Sequence, residues 1–529
     1  MSITKLCLAV LAVIACCEAS KLLVIFPMPS RSHANLGDGI VRHLLRDGHE
    51  VTYISVFPYK VPSPNLRAVD VSDNQKALPS DMLSMEALMN KTLRFDDHGL
   101  MMYMMTMLMN TTIQNENVQK LLNDPNERFD AAIGEWMFSE LPAAFAALYN
   151  CPLIWVSSME VHWGILSLID QPSNPAFTVD SLSTYLPPFS FTQRVWELYI
   201  QLRVQFLKFT FFDKLQKGVY DEFIVPLIVK RGREAPSFYD IQYNASLVLA
   251  NSHVSVGQAV PLPQNYIPIA GYHIEETVKP LPEDLQKLMD NSKDGVIYFS
   301  MGSNLKSKDI PKQIIEDLLK VFGEIKQTVL WKFEEDLPNT PKNVHILKWA
   351  PQPSILSHPN TVLFITHGGL LSTTETVHFG VPIIGIPVFG DQFINVVRSI
   401  RRGFAQKVDL SYTMAGELRE AIKEVTSNPS YGQKAKELSR IYHDRPVPPG
   451  KELAHWVKHV INTNGAPHLR SAAINMPFYQ KLYLDLLGVV LVILILLYVA
   501  IRKVLKIICR FLCTKKNVNT KESNKKKKN

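Results

Sequence analysis

Residues 361–387 read TVLFITHGGLLSTTETVHFGVPIIGIP. The opening TVLFITH (361–367) and the closing VPIIGIP (381–387) are apolar runs of strand length. Between them, LLSTTETVHFG has helical spacing and a glycine stop at Gly380. Strand, glycine turn, helix, strand is one βαβ step of a parallel sheet. Gly368 and Gly369 precede the helix at the carboxyl edge of that sheet. Glycine allows close backbone approach, and free N–H groups with the helix dipole attract anions, so this corner reads as a phosphate site. Ser372 and Glu375 are three apart, hence on one helix face, about 4.5 Å along the axis. A hydroxyl near the phosphate and a carboxylate one turn deeper suit a nucleotide, Ser372 toward phosphate and Glu375 toward ribose hydroxyls.

The same alternation extends outward. GVIYFSMGS (295–303) is a strand with a glycine turn, 311–325 is helical, and TVLWKF (328–333) and NVHILKW (343–349) are strands. The first half opens alike. KLLVIFP (21–27) is a buried strand, the loop MPSRSHANL leads into the helix IVRHLLRDG, and HEVTYISV is the next strand. AAIG (131–134), PLIWVSS (152–158) and SLVLANS (246–252) are further strands, and the Pro-rich 261–284 reads as a linker. The fold class is α/β: two doubly wound Rossmann-like domains facing a cleft, where ligands of such sheets bind.

The 529 residues are 47% hydrophobic and 20% charged, a globular composition long enough for two domains. Net charge is +7, yet residues 502–529 carry 11 Lys/Arg against one Glu, so the basic balance belongs to the tail and gives no reason to invoke nucleic acid. Residues 1–19 have the charge, apolar stretch and small-residue ending of a secretory signal peptide. LDLLGVVLVILILLYVAI (484–501) is long and apolar enough to cross a bilayer, and Arg502, Lys503, Lys506 and Arg510 follow it, which places the tail in the cytosol. The terminal KKKKN is similar to a dilysine retrieval signal for the endoplasmic reticulum, and a lipid-attracted basic patch is the other reading. Sequons at Asn90, Asn110 and Asn244 are candidate glycosylation sites. Cys151 is the one cysteine between signal and span, so no disulfide is expected there.

Two further segments are apolar. Residues 189–212, FSFTQRVWELYIQLRVQFLKFTFF, read equally as an interfacial membrane helix or a core-facing amphipathic one. The methionine run GLMMYMMTMLMN (99–110) is expected as a core helix, with an adaptable apolar pocket as the alternative.

WAPQ (349–352), THGG (366–369), Glu375, HFGVP (378–382) and FGDQFIN (389–395) stand in order within some 45 residues. This stretch resembles the signature of the UDP-glycosyltransferase family, which includes animal UDP-glucuronosyl- and UDP-glucosyltransferases. Weaker resemblance spans nearly the whole chain, and the EW pair at 135–136 with LLSTTE is most similar to the insect branch. The resemblance implies a GT-B fold, with an acceptor-binding domain at 20–260 and a UDP-sugar-binding domain at 285–445. It further implies a 446–481 segment returning toward the first domain, a transmembrane helix at 482–501 and a tail at 502–529. It implies that Trp349 stacks on uracil and Gln352 holds the uridine. His367, Gly368, Gly369, Ser372 and Ser303 would bind the diphosphate, Glu375 the ribose, and Asp391 and Gln392 the sugar hydroxyls with Asn395 close by.

The family's catalytic base is a His after the first strand, here His33. A His at the carboxyl end of strand one also points into the cleft, and its pKa suits proton abstraction. The family's partner Asp aligns with Glu135, a longer acid, and Asp38 is the other candidate. Glucuronosyl members often carry an Arg where Val260 stands, and a buried carboxylate without a cation is costly, so UDP-glucose is the expected donor. No metal or cofactor is expected, because the helix end and His367 can take the diphosphate charge and EED (334–336) reads as an exposed turn. The expected activity is inverting hexose transfer to a hydroxyl of a small lipophilic acceptor, in detoxification or metabolism of endogenous small molecules, at the endoplasmic reticulum membrane. Homo- or hetero-oligomers fit the same picture. A silent binding subunit of the family and a nucleotide-sugar epimerase are the competing classes.

Overall fold

The computed structural model describes residues 19–77, 89, 97–172, 174–303 and 309–526. It comprises a body reaching Arg470 and a C-terminal unit, Ser471–Asn529. Apart from Ala19, the expected signal peptide lies outside the described residues, as does the sequon Asn90.

Seven parallel strands form the first sheet: β1 (Lys21–Phe26), β2 (Glu50–Ser55), β3 (Leu66–Asp70), β4 (Ala131–Trp136), β5 (Leu153–Ser157), β6 (Ala245–Ala250) and β7 (Tyr266–Pro268). Their order is β3-β2-β1-β4-β5-β6-β7. Helices cover both faces, so a central strand such as LLVIF is an unbroken buried run without alternation. Sequence periodicity misses β3, an edge strand whose Arg67 and Asp70 are exposed. It also misses β7, which has three residues and lies inside the stretch read as linker. Three helices of this half matter below: α1 (Arg31–Arg46), α2 (His98–Gln114) and α3 (Phe191–Leu207). Leu36, Ile40, Val41 and Leu44 seat α1 on the sheet.

The second sheet has six parallel strands: β8 (Val296–Ser300), β9 (Thr328–Lys332), β10 (Val344–Leu347), β11 (Thr361–Thr366), β12 (Ile383–Gly385) and β13 (Ala405–Lys407), ordered β10-β9-β8-β11-β12-β13. Helix α4 (Leu370–Phe379) follows β11 and ends at Gly380 in the left-handed region, φ 72°, as its sequence predicts. Helix α5 (Gln392–Arg401) follows β12.

Three of the contacts that join the halves matter here. The crossover loop is clamped on α1, where Arg42 donates to the carbonyls of Tyr272 (2.8 Å) and His273 (3.1 Å). Gly39 permits this, since a Cβ there would stand 3.0 Å from the His273 backbone. Helix α6 (Pro449–Asn462) returns to the first half, burying Leu453, Val457 and Val460 in the cluster that holds Leu36 and Ile40. Each such burial is worth about 1.5–3 kcal/mol. Finally, Ile394 of α5 packs with Val179 and Phe189, and Arg401 and Arg402 donate to the carbonyls of Pro187, Val254 and Gly257.

Within the C-terminal unit, α7 (Leu484–Lys526) continues through the basic tail. Its apolar part, Leu484–Leu512, is 29 residues long. At 1.5 Å per residue that is about 43 Å, enough to cross a hydrocarbon core of about 30 Å.

Candidate active site

In doubly wound sheets the ligand crevice opens where strand order reverses. In the first sheet β1 is flanked by β2 and β4, and in the second β8 is flanked by β9 and β11. The chain leaves β1 toward His33 and leaves β4 just past Glu135. It leaves β8 through Gly302–Ser303 and β11 through His367–Gly369.

His33 occupies the first turn of α1, whereas the sequence reading left it in a loop. The helix starts well before its apolar periodicity, because Ser30 takes the extended N-cap conformation and nothing in RSHANL breaks the first turns. The His33 Nδ1 lies 2.5 Å from Glu135 Oε1, with Glu135 almost fully buried at the end of β4. The extra methylene of Glu is thus accommodated. Nδ1–H donates to the carboxylate, which leaves Nε2 as the basic nitrogen. Burial alone would pull the His33 imidazole down, but the charge and hydrogen bond of Glu135, aided by Asp391, hold it above its usual value. Asp38 is not the partner: the His33 ring bonds Glu135, and burial pushes the Asp38 carboxyl up to about 6.

Beside Glu135 opens a small pocket lined by Met28, Met105, Leu108, Met109 and Met137. The methionine run therefore serves both expectations: Met102, Met105 and Met109 of α2 are core residues, and two of them face this pocket.

On the other side, Gly368 has φ 79°, and a Cβ there would stand 2.4 Å from Val396. A Cβ on Gly369 would stand 2.5 Å from His367 Nε2, and one on Gly302 would stand 2.6 Å from His367 Cε1. The ring of His367 is thus wedged between the two glycine turns. Ser303 follows Gly302, exposed. The leading N–H groups of α4 have no intrahelical partner and face this turn. Burial, with the charge of Lys332, lowers His367 to about 4, so its imidazole is neutral near pH 7. Among the described residues a cation beside these turns is Lys332, which donates to Gly302 O (2.9 Å) and Glu334 Oε1 (3.0 Å). Glu334 of the EED segment is therefore engaged and half-buried.

Deeper in, Gln352 Nε2 donates to Ser372 Oγ (3.2 Å) and Glu375 Oε2 (2.5 Å), while its Oε1 accepts from Tyr298 (3.3 Å). Gln352, Ser372 and Glu375, spread over 23 positions of sequence, form one polar floor. His273 of the crossover loop joins it, with Nε2 3.7 Å from Glu375 Oε1. Trp349 is 70% exposed, a free aromatic face with Lys60 Nζ 5.6 Å from the ring centroid.

Asp391 stands at the N-cap position of α5 without a side-chain capping bond and accepts from Asn395 Nδ2 (2.9 Å), which also donates to Gly368 O (3.3 Å). Burial raises the Asp391 carboxyl, opposed by Asn395, Arg398 and His33. His33 and Asp391 come from opposite domains and feel each other's charge across the cleft. Gln392 gives its amide oxygen to the N–H groups of Val388 (2.8 Å) and Phe389 (3.1 Å), so its NH2 is the end with hydrogen bonds to offer a ligand. Arg398, buried, donates to Asn395 Oδ1 (3.4 Å) and faces Glu160 and Asp391 electrostatically. Burial pushes the Glu160 carboxyl to about 7.

Sequence reasoning missed His273, Lys332, Arg398 and Glu160. None belongs to a local motif, and each acts through contacts made only by the tertiary fold. Val260, at the position where the sequence reading found no cation for a sugar carboxylate, packs half-buried against the first core. Of the candidate glycosylation sites, Asn110 is half-buried in α2 and Asn244 is exposed but bonded to Arg470. Burial raises the free thiol of Cys151 to about 12.

Comparison with known proteins bears on this cleft. The family model described as "UDP-glucoronosyl and UDP-glucosyl transferase" matches residues 20–519. The chain is 32% identical to UDP-glucosyltransferase 2 of Dactylopius coccus over 507 residues, covering 94% of this chain and 93% of that one. It is 31% identical to UDP-glucuronosyltransferase 2B13 of Oryctolagus cuniculus, covering 70% and 69%. Among solved structures, glycosyltransferase VinC in complex with dTDP superposes with a TM-score of 0.56 at 15% identity, covering 84% of this chain and 99% of that one. The calicheamicin glycosyltransferase CalG4 gives 0.54 at 14%, with the same coverage. At such identities these two speak for the GT-B fold alone.

Proposed function

Since the chain belongs to the UDP-glucuronosyl and UDP-glucosyl transferase family and is a glycosyltransferase, we propose that it moves glucose from UDP-glucose to a hydroxyl of a small lipophilic acceptor with inversion. The observation that carries this reading is the buried His33–Glu135 pair facing the glycine turns and the Gln352–Ser372–Glu375 floor across one cleft.

The chemistry follows from the geometry. The acceptor enters over the methionine-lined pocket, which brings its hydroxyl near His33 Nε2. Nε2 takes the hydroxyl proton as the oxygen bonds to the anomeric carbon, and Glu135 stabilises the imidazolium that forms. The bond from anomeric carbon to phosphate oxygen breaks on the opposite face, so an α-linked donor gives a β-glycoside. UDP leaves with its new charge met by the N–H groups of α4 and by Lys332. Trp349 stacks the uracil, Gln352 and Glu375 hold the uridine, Ser303 and Ser372 reach the phosphates, and Asp391, Gln392 and Asn395 hold the sugar hydroxyls. This assignment needs no metal or cofactor.

Arg398 is a cation beside the proposed sugar site that sequence reading did not foresee. Its charge already faces Asp391 and Glu160, which supports a neutral sugar over a glucuronate. We place the protein in the endoplasmic reticulum membrane with a cleaved signal, the body lumenal and the tail cytosolic, acting on metabolites or foreign compounds alone or as an oligomer.

The test is a donor panel. The full chain in membranes receives UDP-glucose, UDP-galactose and UDP-glucuronate with phenol and terpenoid alcohol acceptors, and products are weighed by mass spectrometry. Hexose addition that His33→Ala abolishes supports the reading. Hexuronate addition overturns the donor assignment, an epimerised donor without transfer overturns the reaction class, and no turnover in protein that binds UDP points to a silent subunit.

A further inference from the structure

The chain leaves the buried carboxylate of Glu135 through a strained turn. Glu135 and Trp136 close β4, and two residues on Phe138 stands in the left-handed region at φ 53°, which a bulky L-residue rarely adopts. Such strain persists only where the surroundings over-determine the backbone, and it gathers at active sites. Here Glu135, Met137, Ser139 and Pro142 line the pocket together with Met28 and Met105. The segment that carries the partner of His33 is thus also a wall of that pocket. Phe138 packs against Trp136, ring centroids 5.3 Å apart, and edge-on to His98 of α2 at 6.2 Å.

What over-determines this turn is a buried charge network centred on Glu140, which is 3% exposed. Its Oε1 accepts from Lys208 Nζ (2.7 Å) and Trp136 Nε1 (3.3 Å), and its Oε2 accepts from Gln216 Nε2 (2.8 Å). The amide oxygen of Gln216 turns back to accept from the Glu140 N–H (2.8 Å) and the Ser139 hydroxyl (2.9 Å). Burial alone would raise the Glu140 carboxyl, but Lys208, Gln216 and Trp136 hold it below its usual range. Lys208 opens a single π-helical turn, Lys208–Phe212, which joins α3 to the helix Asp213–Phe223 that carries Gln216. Single π turns inside helices are frequent at functional sites. Asp213 and the Tyr243 ring, whose centroid is 5.4 Å from Lys208 Nζ, also face this cation.

We propose that Lys208, Glu140 and Gln216 are positioning residues for the acceptor side of the reaction: they hold residues 136–142 in the conformation that keeps Glu135 on His33 and sets Met137 and Ser139 against the pocket. The proposal rests on the reading of His33 and Glu135 as the catalytic pair. For stability alone, well-packed apolar residues of similar volume would serve as well as a buried ion pair. This network instead grips the turn on both sides of Phe138, at Trp136 before it and at Ser139 and Glu140 after it. It also commits the Ser139 hydroxyl, which donates to Gln216 and accepts from the Leu141 N–H (3.4 Å). With that hydroxyl engaged, the pocket offers an apolar wall up to Glu135, which suits a reacting hydroxyl carried on an apolar frame.

The test follows the full chain in nanodiscs by histidine C2–H exchange and backbone amide exchange, both mapped by mass spectrometry. The double variant Lys208→Met/Glu140→Gln removes both charges at similar volume and leaves neither unpaired. Gln216→Met removes the other clamp alone. Lys217→Met, which breaks an exposed pair with Asp221 on the same helix, is the control. In the first two variants the exchange midpoint of His33 should move to lower pH, because the Glu135 charge leaves its ring. Amides of 136–142 should exchange about tenfold faster or more, while UDP binding by the other half stays at the wild-type level. The control should match wild type in every readout. In turnover, KM for the acceptor should rise by about tenfold while that for UDP-glucose holds. A His33 midpoint unmoved in both variants overturns the proposal, even where the melting temperature falls, since it leaves the network a structural role only. Loss of UDP binding in both overturns it too, because the effect is then general unfolding. Exchange needs no turnover, so a wild type that transfers no sugar fails the proposed reaction and leaves this test standing.

Discussion

Replacing Glu135 with Gln tests the catalytic pair through its electrostatics. The carboxylate is buried, and its 2.5 Å contact orients His33 and raises its pKa. A hydrogen bond to a charged group is worth about 1.5–3 kcal/mol, and about 1.4 kcal/mol is one pKa unit. Removing the charge should therefore lower the pKa of His33. Burial, which already opposes protonation, then carries it below the usual histidine value. A base works deprotonated, so the rate falls as pH drops through its pKa. The wild-type acid limb of kcat/KM should lie above about 6.5, and the Gln variant's limb should move to lower pH. Its plateau should fall by about a hundredfold to ten-thousandfold, since the imidazolium is no longer stabilised. Glu135→Asp separates charge from contact. It keeps the charge but opens the gap by about one C–C bond, ~1.5 Å, so the limb should stay nearer wild type while kcat drops. An acid limb that does not move in Glu135→Gln would refute the assignment of His33 as a base tuned by Glu135.

Glu375→Ala should raise KM for the UDP-sugar by about tenfold to a hundredfold with kcat little changed, the loss of one charged hydrogen-bonding group; titration with UDP checks it. Gly369→Ala should weaken UDP binding by tenfold or more, because its Cβ would stand 2.5 Å from a His367 ring already wedged against Gly302. Gly416→Ala, a helical glycine with nothing within 4 Å of its Cβ, is the control and should stabilise by about 0.5–1 kcal/mol. Glu197→Gln should raise the melting temperature at pH 8 but not at pH 5. Burial lifts the folded carboxyl to about 7. A raised folded pKa contributes stability below the unfolded value that is lost as pH rises through the folded one, here between about 4 and 7. The variant removes that penalty, at most roughly 3 kcal/mol.

How much of this was legible in the sequence depended on whether the signal was local. The βαβ step at 361–387 was readable because a buried parallel strand, a glycine turn and a capped helix each leave a mark in consecutive residues. The boundaries of α4 and its glycine corner emerge as the spacing predicts. β3 and β7 were not readable, since an exposed edge strand and a three-residue strand lack periodicity. The start of α1 was hidden because its first turns are polar and their apolar stripe begins only later. The site divides in the same way. Residues that sit in motifs, from Gln352 to Asn395, could be named as candidates from the sequence, and the fold brings Gln352, Ser372 and Glu375 together. His273 and Lys332 act because distant segments meet, and the depressed His367 pKa comes from burial that no sequence pattern encodes. The outward stripe of α3 was visible as composition, but only the fold reveals that Glu197 and Gln201 point in and the aromatics out.

The central claim is that this cleft transfers a sugar from a uridine nucleotide with His33 as base. The most direct measurement is acceptor-dependent UDP release from UDP-glucose, made alongside UDP binding, for wild type and His33→Ala. The account predicts UDP release matched mole for mole by glucoside in wild type, and equal UDP binding with no release in the variant. UDP release by His33→Ala at the wild-type rate, or wild type that binds UDP and never releases it from the donor, would contradict it.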